Sequence, residues 1–244
     1  MIYKQFIILI VLTLSLSGTN RSDFKVAIDI GHTKNNQGAT SARGVGEYIY
    51  NENIANMILL ELHHQGFINS FIIKKKTPLT LRGRTLFAKK HEADIFISIH
   101  HDSVKERYLS YWIFNNQKHH YSDKFNGYSL FISNKNKNKN ESIRLGSSIG
   151  YLLQKNKFKH TLHHAEKIKG ESKEFINRSI GLYAFDNLIV LRTAEMPALL
   201  IECGVIVNRE EEVKLSKKNY KSKLVESIVD GIVIFFSELD IGNF

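Results

Sequence analysis

The chain has 244 residues, of which 43% are hydrophobic. This length is enough to bury one α/β core and too short to favour two domains of ordinary size. The 34 Lys and Arg residues exceed the 24 Asp and Glu residues and give a formal net charge of +10. Such a surface suits anionic partners such as cell wall, anionic lipid headgroups or nucleic acid, and charge alone does not choose among them. The single cysteine, Cys203, excludes an internal disulfide, so stability must come from the core.

The N-terminus has the layout of a secretory signal peptide, which we assign to residues 1–18. A basic residue precedes an apolar run at residues 6–16, and small residues follow that run, as in cleaved export signals. A membrane-spanning helix needs about 20 apolar residues, more than this run provides. We therefore expect cleavage near Ser17 or Gly18 and no stable membrane insertion afterwards. The mature protein should be exported, to the periplasm or beyond the cell, with its catalytic or binding domain at residues 23–240.

Strands and helices alternate along the first part of the chain. Apolar residues spaced as on one helix face follow Glu47, and Gly66 is a suitable helix C-terminus. For the helix at 80–90 we expect Leu81, Phe87 and Ala88 to be the apolar positions. In order, the predicted elements are a strand at 24–30, a loop at 34–46, a helix from Glu47 to Gly66, a strand at 67–73, a helix at 80–90 and a strand at 94–100.

The second part of the chain is less regular. The predicted elements are an edge strand with surface loops within 104–140, a helix at 143–155, an irregular stretch at 158–187, strands at 188–192 and 197–202, and a helix at 221–238. Strands that alternate with helices favour parallel pairing. The expected fold class is therefore α/β, a three-layer αβα single domain with a mostly parallel, mixed central sheet. In such sheets ligands bind at the carboxyl ends of the strands.

Four side chains capable of metal or proton chemistry are expected at that edge. His32, His100 and Glu202 each end or follow a predicted strand, and Glu47 begins the first helix. Each has an ordinary explanation by itself; a glutamate in a first helical turn, for example, complements the helix dipole. Together they provide two imidazoles and a carboxylate, the ligand set of catalytic zinc sites that keep one position open. The second carboxylate can then serve as a general base.

Several short motifs, in order, resemble one enzyme family over residues 24–238. They are residues 26–32, Gly38, Gly44, residues 46–47, residues 81–84, residues 93–100, residues 197–202 and Asn208. This pattern is similar to that of the zinc-dependent N-acetylmuramoyl-L-alanine amidases of the amidase 3 type. The resemblance implies a mixed sheet between helical layers and hydrolysis of the amide that joins the lactyl group of N-acetylmuramic acid to L-alanine. The implied partner is peptidoglycan or a muropeptide, and not nucleic acid.

The resemblance also implies residue roles. His32, Glu47 and His100 match the family's ligands for one zinc ion, and Glu202 matches its catalytic glutamate. The chain departs from the family pattern at His101, which directly follows the motif histidine, so either histidine can be the ligand. Alternation along a strand places the two on opposite faces, and we choose His100 because it aligns with the motif.

Other residues have weaker signals. Asp102 and Arg192 are candidate substrate-binding residues, Arg192 because a guanidinium can bind a carboxylate or polarise a carbonyl. His160 and His164 are spaced i, i+4 without a helix-forming context. We expect these two histidines to be surface residues and not a second metal site.

Two rival functions fit part of this pattern. A zinc exopeptidase can also use two histidines and a glutamate on an α/β fold, but it would release free amino acids from plain peptides. A basic wall-binding or nucleic-acid-binding module would have lost the metal, which the retention of all four site residues argues against. The sequence does not indicate whether an activator protein is required.

Overall fold

The fold is organised around a seven-stranded mixed sheet with the strand order β2-β1-β3-β9-β6-β8-β7. The structure is a computed structural model that describes residues 20–74 and 79–241, so the predicted signal peptide at residues 1–18 lies outside the described residues. The elements are β1 (Val26–Ile30), α1 (Glu47–His64), β2 (Phe71–Ile72), α2 (Leu81–Lys90), β3 (Ile95–Asp102), β4 (Ser110–Phe114), β5 (Gln117–Tyr121), β6 (Ser129–Ile132), α3 (Lys139–Lys155), β7 (Glu174–Asn177), β8 (Leu182–Ala184), α4 (Ile189–Thr193), β9 (Ala198–Val205), α5 (Arg209–Ser216) and α6 (Lys218–Ile241).

Two apolar layers cover the two faces of the sheet. Helices α1, α3 and α6 pack on one face, where alternate residues of β1, β3 and β9 such as Ile28, Ile97 and Ile201 are fully buried. Helices α2 and α4 cover the other face, against residues such as Phe96 and Leu200. Strands buried on both faces are mostly apolar, and β1 and residues 95–99 of β3 are apolar apart from the buried Asp29 and Ser98. The predicted three-layer αβα class is confirmed.

Strand direction brings one set of strand ends together. β1 pairs in parallel with β2 and β3, and β3 pairs in parallel with β9. β6 then runs antiparallel to β9, and β7 antiparallel to β8, which makes the sheet mixed. Because β1, β3 and β9 are neighbours and parallel, their carboxyl ends meet at one edge.

The first helix agrees closely with the prediction. α1 begins at Glu47 and ends at His64, and Gly66 follows with a φ of +94°. That left-handed conformation favours glycine, because a side chain there would clash with the backbone. The predicted strand at 67–73 is shorter, since only Phe71–Ile72 pairs with β1.

Several predicted elements are wrong. Residues 188–192 form the end of a loop and α4 instead of a strand, because Val190 and Leu191 cover the sheet face beside α2. A short β-branched run cannot distinguish these outcomes by periodicity. In α2 only Ala88 of the three expected apolar positions is buried, and Leu81 is 47% exposed.

The middle of the chain contains strands that the sequence did not predict. β6 lies between β9 and β8 with all four residues buried, so it is a central strand and not an edge strand. β7 and β8 lie within the stretch expected to be irregular, and β4 and β5 form a separate antiparallel hairpin. Within residues 20–74 and 79–241, no helix has both the length and the apolar character needed to cross a membrane.

A buried carboxylate fastens α5 to the sheet. Glu211 accepts hydrogen bonds from the backbone of Gly127 at 2.8 Å and of Val205 at 2.9 Å. Burial raises the pKa of Glu211 to about 7, although the hydrogen bonds from Val205 and Gly127 oppose that rise. The folded protein therefore holds this proton at pH values where the unfolded chain, with an ordinary value of 4.5, has lost it.

We expect Glu211 to make stability fall as pH rises. Its contribution is complete below pH 4.5 and is lost as the pH passes through about 7, which amounts to a change on the order of 3 kcal/mol. Urea unfolding between pH 4 and pH 8 should show a flatter profile for Glu211→Gln than for the natural chain. The exposed neighbour variant Glu210→Gln is the control. Equal profiles for all three proteins would contradict this assignment.

Candidate active site

The carboxyl edge of β1, β3 and β9 brings the predicted site residues together. His32 follows β1, His100 lies near the end of β3, and Glu202 in β9 is the direct register partner of His100. The loop between β1 and α1 returns to this edge, and Glu47 is the first residue of α1. Parallel strand pairing and this loop thus bring together four side chains that are far apart in the sequence.

His32, Glu47 and His100 form a compact cluster. His32 Nε2 lies 2.9 Å from Glu47 Oε2, and His100 Nδ1 lies 3.0 Å from Glu47 Oε1. One donor atom from each residue lies within 4.8 Å of the others, so the three could hold a metal ion. The His32 side chain is 31% exposed and that of Glu47 is 5% exposed, so the cluster is open on the His32 side.

The charge of Glu47 is stabilised where it is buried. Burial alone would raise the pKa of Glu47, but hydrogen bonds with His100 and His32 outweigh it and hold the pKa well below its usual range. Asn51 donates to Glu47 Oε1 at 3.0 Å, and the backbone of Ala39 donates to Oε2 at 3.2 Å. Glu47 is therefore an ionised carboxylate held by several donors.

His101 faces away from this cluster. Its Nδ1 lies 2.8 Å from Asn51 Oδ1, and its backbone N–H donates to Glu47 Oε1 at 3.2 Å. Burial lowers the pKa of His101 to about 3, so the ring is neutral. Of the two adjacent histidines, the structure thus places His100 with His32 and Glu47, while His101 helps to orient Asn51.

The backbone at His32 is held in a strained conformation. His32 has a φ of +66°, a region that residues with a Cβ enter at some energetic cost. Arg84 from α2 donates to the carbonyl of His32 at 2.9 Å and to that of Ile30 at 2.7 Å. It also pairs with Asp29 at 2.9 Å, and Asp29 accepts from Ser98 of β3 at 2.8 Å. This buried network fixes the position of the backbone at the end of β1 and at His32.

Glycines leave room for the cluster. A Cβ on Gly31 would lie 2.4 Å from the His100 ring, and one on Gly38 would lie 2.5 Å from both Glu47 Oε2 and the His32 ring. Gly38 also has a φ of +75°. At these two positions the imidazoles and the carboxylate therefore approach the backbone more closely than any residue other than glycine would allow.

Glu202 has no hydrogen-bond partner on Oε2 among the described atoms. Burial raises the pKa of Glu202 well above its ordinary value, and the nearby charges of Asp102 and Glu47 raise it further. A carboxyl group that has one buried oxygen without a hydrogen-bond partner and lies near two other carboxylates is suited to exchanging a proton during a reaction.

The two candidate substrate residues lie apart from the cluster. Asp102 is engaged by the imidazoles of His163 and His164, at 3.3 Å and 2.7 Å. Arg192 is exposed on α4. Substrate binding by either residue stays a prediction. His164 was expected on the surface and is only 7% exposed, so that expectation is wrong.

Sequence reasoning missed the residues that support the cluster. Asn51 follows Glu47 by one helical turn, a spacing that places both on one face of α1 and could have identified it. Arg84 was noted within a family motif but without a role, and Asp29 and Ser98 were not singled out. Arg84, Asp29 and Ser98 lie in α2, β1 and β3. Local sequence patterns do not reveal contacts between such separate elements.

We expect Arg84→Ala to destabilise the protein by about 3–5 kcal/mol, because it leaves the buried Asp29 carboxylate without its counter-ion. Urea unfolding measures this loss. Arg82 lies on the same helix but is exposed, so Arg82→Ala is the matched control and should change stability by less than about 0.5 kcal/mol. Similar small effects for both variants would show that the ion pair does not stabilise the fold.

Comparisons with known proteins agree with this architecture. The family model described as N-acetylmuramoyl-L-alanine amidase, Amidase_3, matches residues 26–233. The probable N-acetylmuramoyl-L-alanine amidase AmiB of Haemophilus influenzae is 30% identical over 241 residues, which cover 87% of this chain and 52% of that protein. The chain thus spans about half the length of this relative. A putative N-acetylmuramoyl-L-alanine amidase of Buchnera aphidicola subsp. Schizaphis graminum is 26% identical, covering 88% of this chain and 98% of that protein.

A solved structure has the same fold. The crystal structure of N-acetylmuramoyl-L-alanine amidase from Clostridium difficile 630 aligns with a TM-score of 0.66 and 25% identity, covering 88% of this chain and 97% of that one. The family match extends over most of the chain and includes every residue of the cluster. The chain therefore belongs to the N-acetylmuramoyl-L-alanine amidase family of the amidase 3 type, a family of hydrolases.

Proposed function

We propose that this chain hydrolyses the amide between the lactyl group of N-acetylmuramic acid and L-alanine in peptidoglycan. In this proposal His32, Glu47 and His100 hold one zinc ion and Glu202 is the catalytic general base. The observation that carries it is the convergence of three donor atoms within 4.8 Å, on the same sheet edge as Glu202, whose Oε2 has no hydrogen-bond partner among the described atoms. Family membership supports the choice of substrate.

The donor set fits zinc. Two imidazole nitrogens and one carboxylate oxygen are ligands that catalytic zinc sites use with the fourth position open. Glu47 also has outer contacts, because Asn51 and the backbone N–H of His101 both donate to its Oε1. Such outer contacts orient metal ligands and fix their tautomers. The exposure of His32 leaves an approach for a polymeric substrate.

A bound zinc ion supplies Lewis-acid chemistry, which acidifies a water molecule and polarises the amide carbonyl. Glu202 accepts the proton of the attacking water and passes it to the nitrogen of the departing L-alanine. Its Oε2 has no hydrogen-bond partner among the described atoms, which leaves this oxygen free for both transfers. Glu47, which is held ionised by its donors, keeps both histidines in place.

The proposed catalytic unit comprises residues 23–240 and acts outside the cytoplasm. The expected signal at residues 1–18 and the formal charge of +10 support this, because a basic domain is attracted to an anionic wall polymer. We propose that the enzyme is exported and that it acts in the periplasm.

We expect Glu202→Gln to lower turnover on purified peptidoglycan by at least about 10²-fold, because general acid–base catalysis typically contributes that much. Zinc content should stay at the level of the natural chain. Release of stem peptides with a free L-alanine amine, measured by mass spectrometry with and without chelator, identifies the bond that is cut. Glu226 is exposed on α6, so Glu226→Gln is the matched control.

Three outcomes would contradict the proposal. Near-normal turnover of Glu202→Gln would show that Glu202 is not the general base. Release of free amino acids from plain peptides would favour a zinc exopeptidase. Binding to peptidoglycan with neither zinc nor product would favour a wall-binding module.

We expect Gly31→Ala to weaken zinc binding by at least about tenfold, since the new methyl group would displace the His100 ring and displaced ligands or outer contacts typically cost 10–100-fold in metal affinity. Competition with a zinc indicator measures the change. Gly83→Ala is the control, because Gly83 lies in α2 without a positive φ and faces only Thr80 and Leu79 side chains. Equal zinc affinity for both variants would show that His100 does not need this space.

A further inference from the structure

A second group of histidines and carboxylates lies beside the proposed active site. His164 Nε2 is 2.7 Å and His163 Nε2 is 3.3 Å from the same oxygen, Asp102 Oδ2. Asp102 follows His100 by two residues on β3, and the histidines belong to a short 3₁₀ turn at His163–Ala165. All three side chains are buried, with residue exposures of 9%, 2% and 7% for Asp102, His163 and His164.

The opposite ring nitrogens are fixed by partners. His164 Nδ1 lies 3.0 Å from Glu171 Oε2, and His163 Nδ1 lies 2.8 Å from Thr161 Oγ1. Glu171 is held in turn by Lys173 at 2.9 Å. A histidine that binds metal through one nitrogen usually donates the other N–H to a carboxylate, a carbonyl or another acceptor. Both rings are therefore oriented with Nε2 toward Asp102, as outer contacts orient metal ligands.

One of these nitrogens has no hydrogen bond. His163 Nε2 is buried and makes none to any described atom, although it is 3.3 Å from Asp102 Oδ2. A buried polar nitrogen without a partner is costly. Two ligand atoms on a tetrahedral zinc, each bonded at about 2.0 Å, are about 3.3 Å apart, so this separation suits two atoms that share a metal.

The charge of the group also suits a cation. Among the described ion pairs, Asp102 contacts histidines and no lysine or arginine. Taking a carboxylate out of water requires a compensating charge. Two imidazoles and one carboxylate favour zinc or a similar transition metal over magnesium or calcium, which prefer oxygen ligands.

We propose that Asp102, His163 and His164 form a second divalent-metal site, with zinc as the expected ion. It is separate from the cluster of His32, Glu47 and His100, and both ligand sets include a residue of β3. A metal at this place would tie the loop of residues 158–173 to the carboxyl end of β3, beside Glu202. The second site would thereby also stabilise one wall of the proposed active site.

The test counts metal in protein expressed with zinc and purified without chelator, after exhaustive dialysis against metal-free buffer. Elemental analysis should find two zinc equivalents in the natural chain. His163→Ala and His100→Ala should each retain one equivalent, and the double variant should retain none. His64 is exposed on α1, so His64→Ala is the matched control and should keep two.

A second readout reports on the loop that the proposed metal site would hold in place. Limited proteolysis with mapping of the cleavage sites should show that the loop of residues 158–173 becomes accessible to the protease in His163→Ala. In His100→Ala the loop should stay as protected as in the natural chain. His163→Gln provides a more conservative variant should the alanine variant fail to fold. We expect His163→Gln to lose one zinc equivalent and to show the same cleavage of the loop as His163→Ala.

The outcomes are distinguishable from those for the proposed function. One zinc equivalent in the natural chain that disappears in His100→Ala would overturn the second site and leave the proposed function intact. The buried group would then be an ion cluster with a protonated histidine between Asp102 and Glu171. Two equivalents that persist in a folded His163 variant would also overturn it. One equivalent retained in His100→Ala and lost with His163 supports it directly.

Discussion

The site depends on one buried carboxylate, that of Glu47, which accepts hydrogen bonds from several parts of the chain. The side chains of His32, His100 and Asn51 lie 2.9, 3.0 and 3.0 Å from its oxygens, and two backbone N–H groups add to them. Through this single group the loop after β1, the start of α1 and the end of β3 are fastened together. A buried anion that is satisfied in this way is stable, whereas one left with too few donors would be costly.

The surrounding fold makes that arrangement possible at some cost in free energy. His32 has a left-handed backbone conformation, and Arg84 holds it by binding carbonyls on both sides of Gly31 while paired to Asp29. Strained residues persist where neighbouring structure determines them fully, and they are frequent at functional sites. The ion pair is therefore best understood as an interaction that orients His32, the proposed ligand, since buried pairs contribute little net stability by themselves.

Two groups of histidines and a carboxylate lie near the end of β3, and Glu202 interacts with acidic members of both. Asp102 and Glu47 each raise the pKa of Glu202, which places the proposed base within electrostatic reach of both groups. Cations in these groups would lower that pKa again, because an opposite charge favours the carboxylate. Proton exchange at Glu202 is thus coupled to whatever charge the two groups carry.

The sequence by itself determined the fold class, the first strand–loop–helix unit and the placement of His32, Glu47, His100 and Glu202 near one sheet edge. Those inferences rest on local periodicity and on residues at the ends of the predicted strands, which lie at or within three residues of the observed strand ends. Tertiary structure decided the central position of β6, the helical form of α4 and the burial of His163 and His164. Each depends on pairing or packing between segments far apart in the chain. Short apolar runs and histidine spacings do not identify those partner segments.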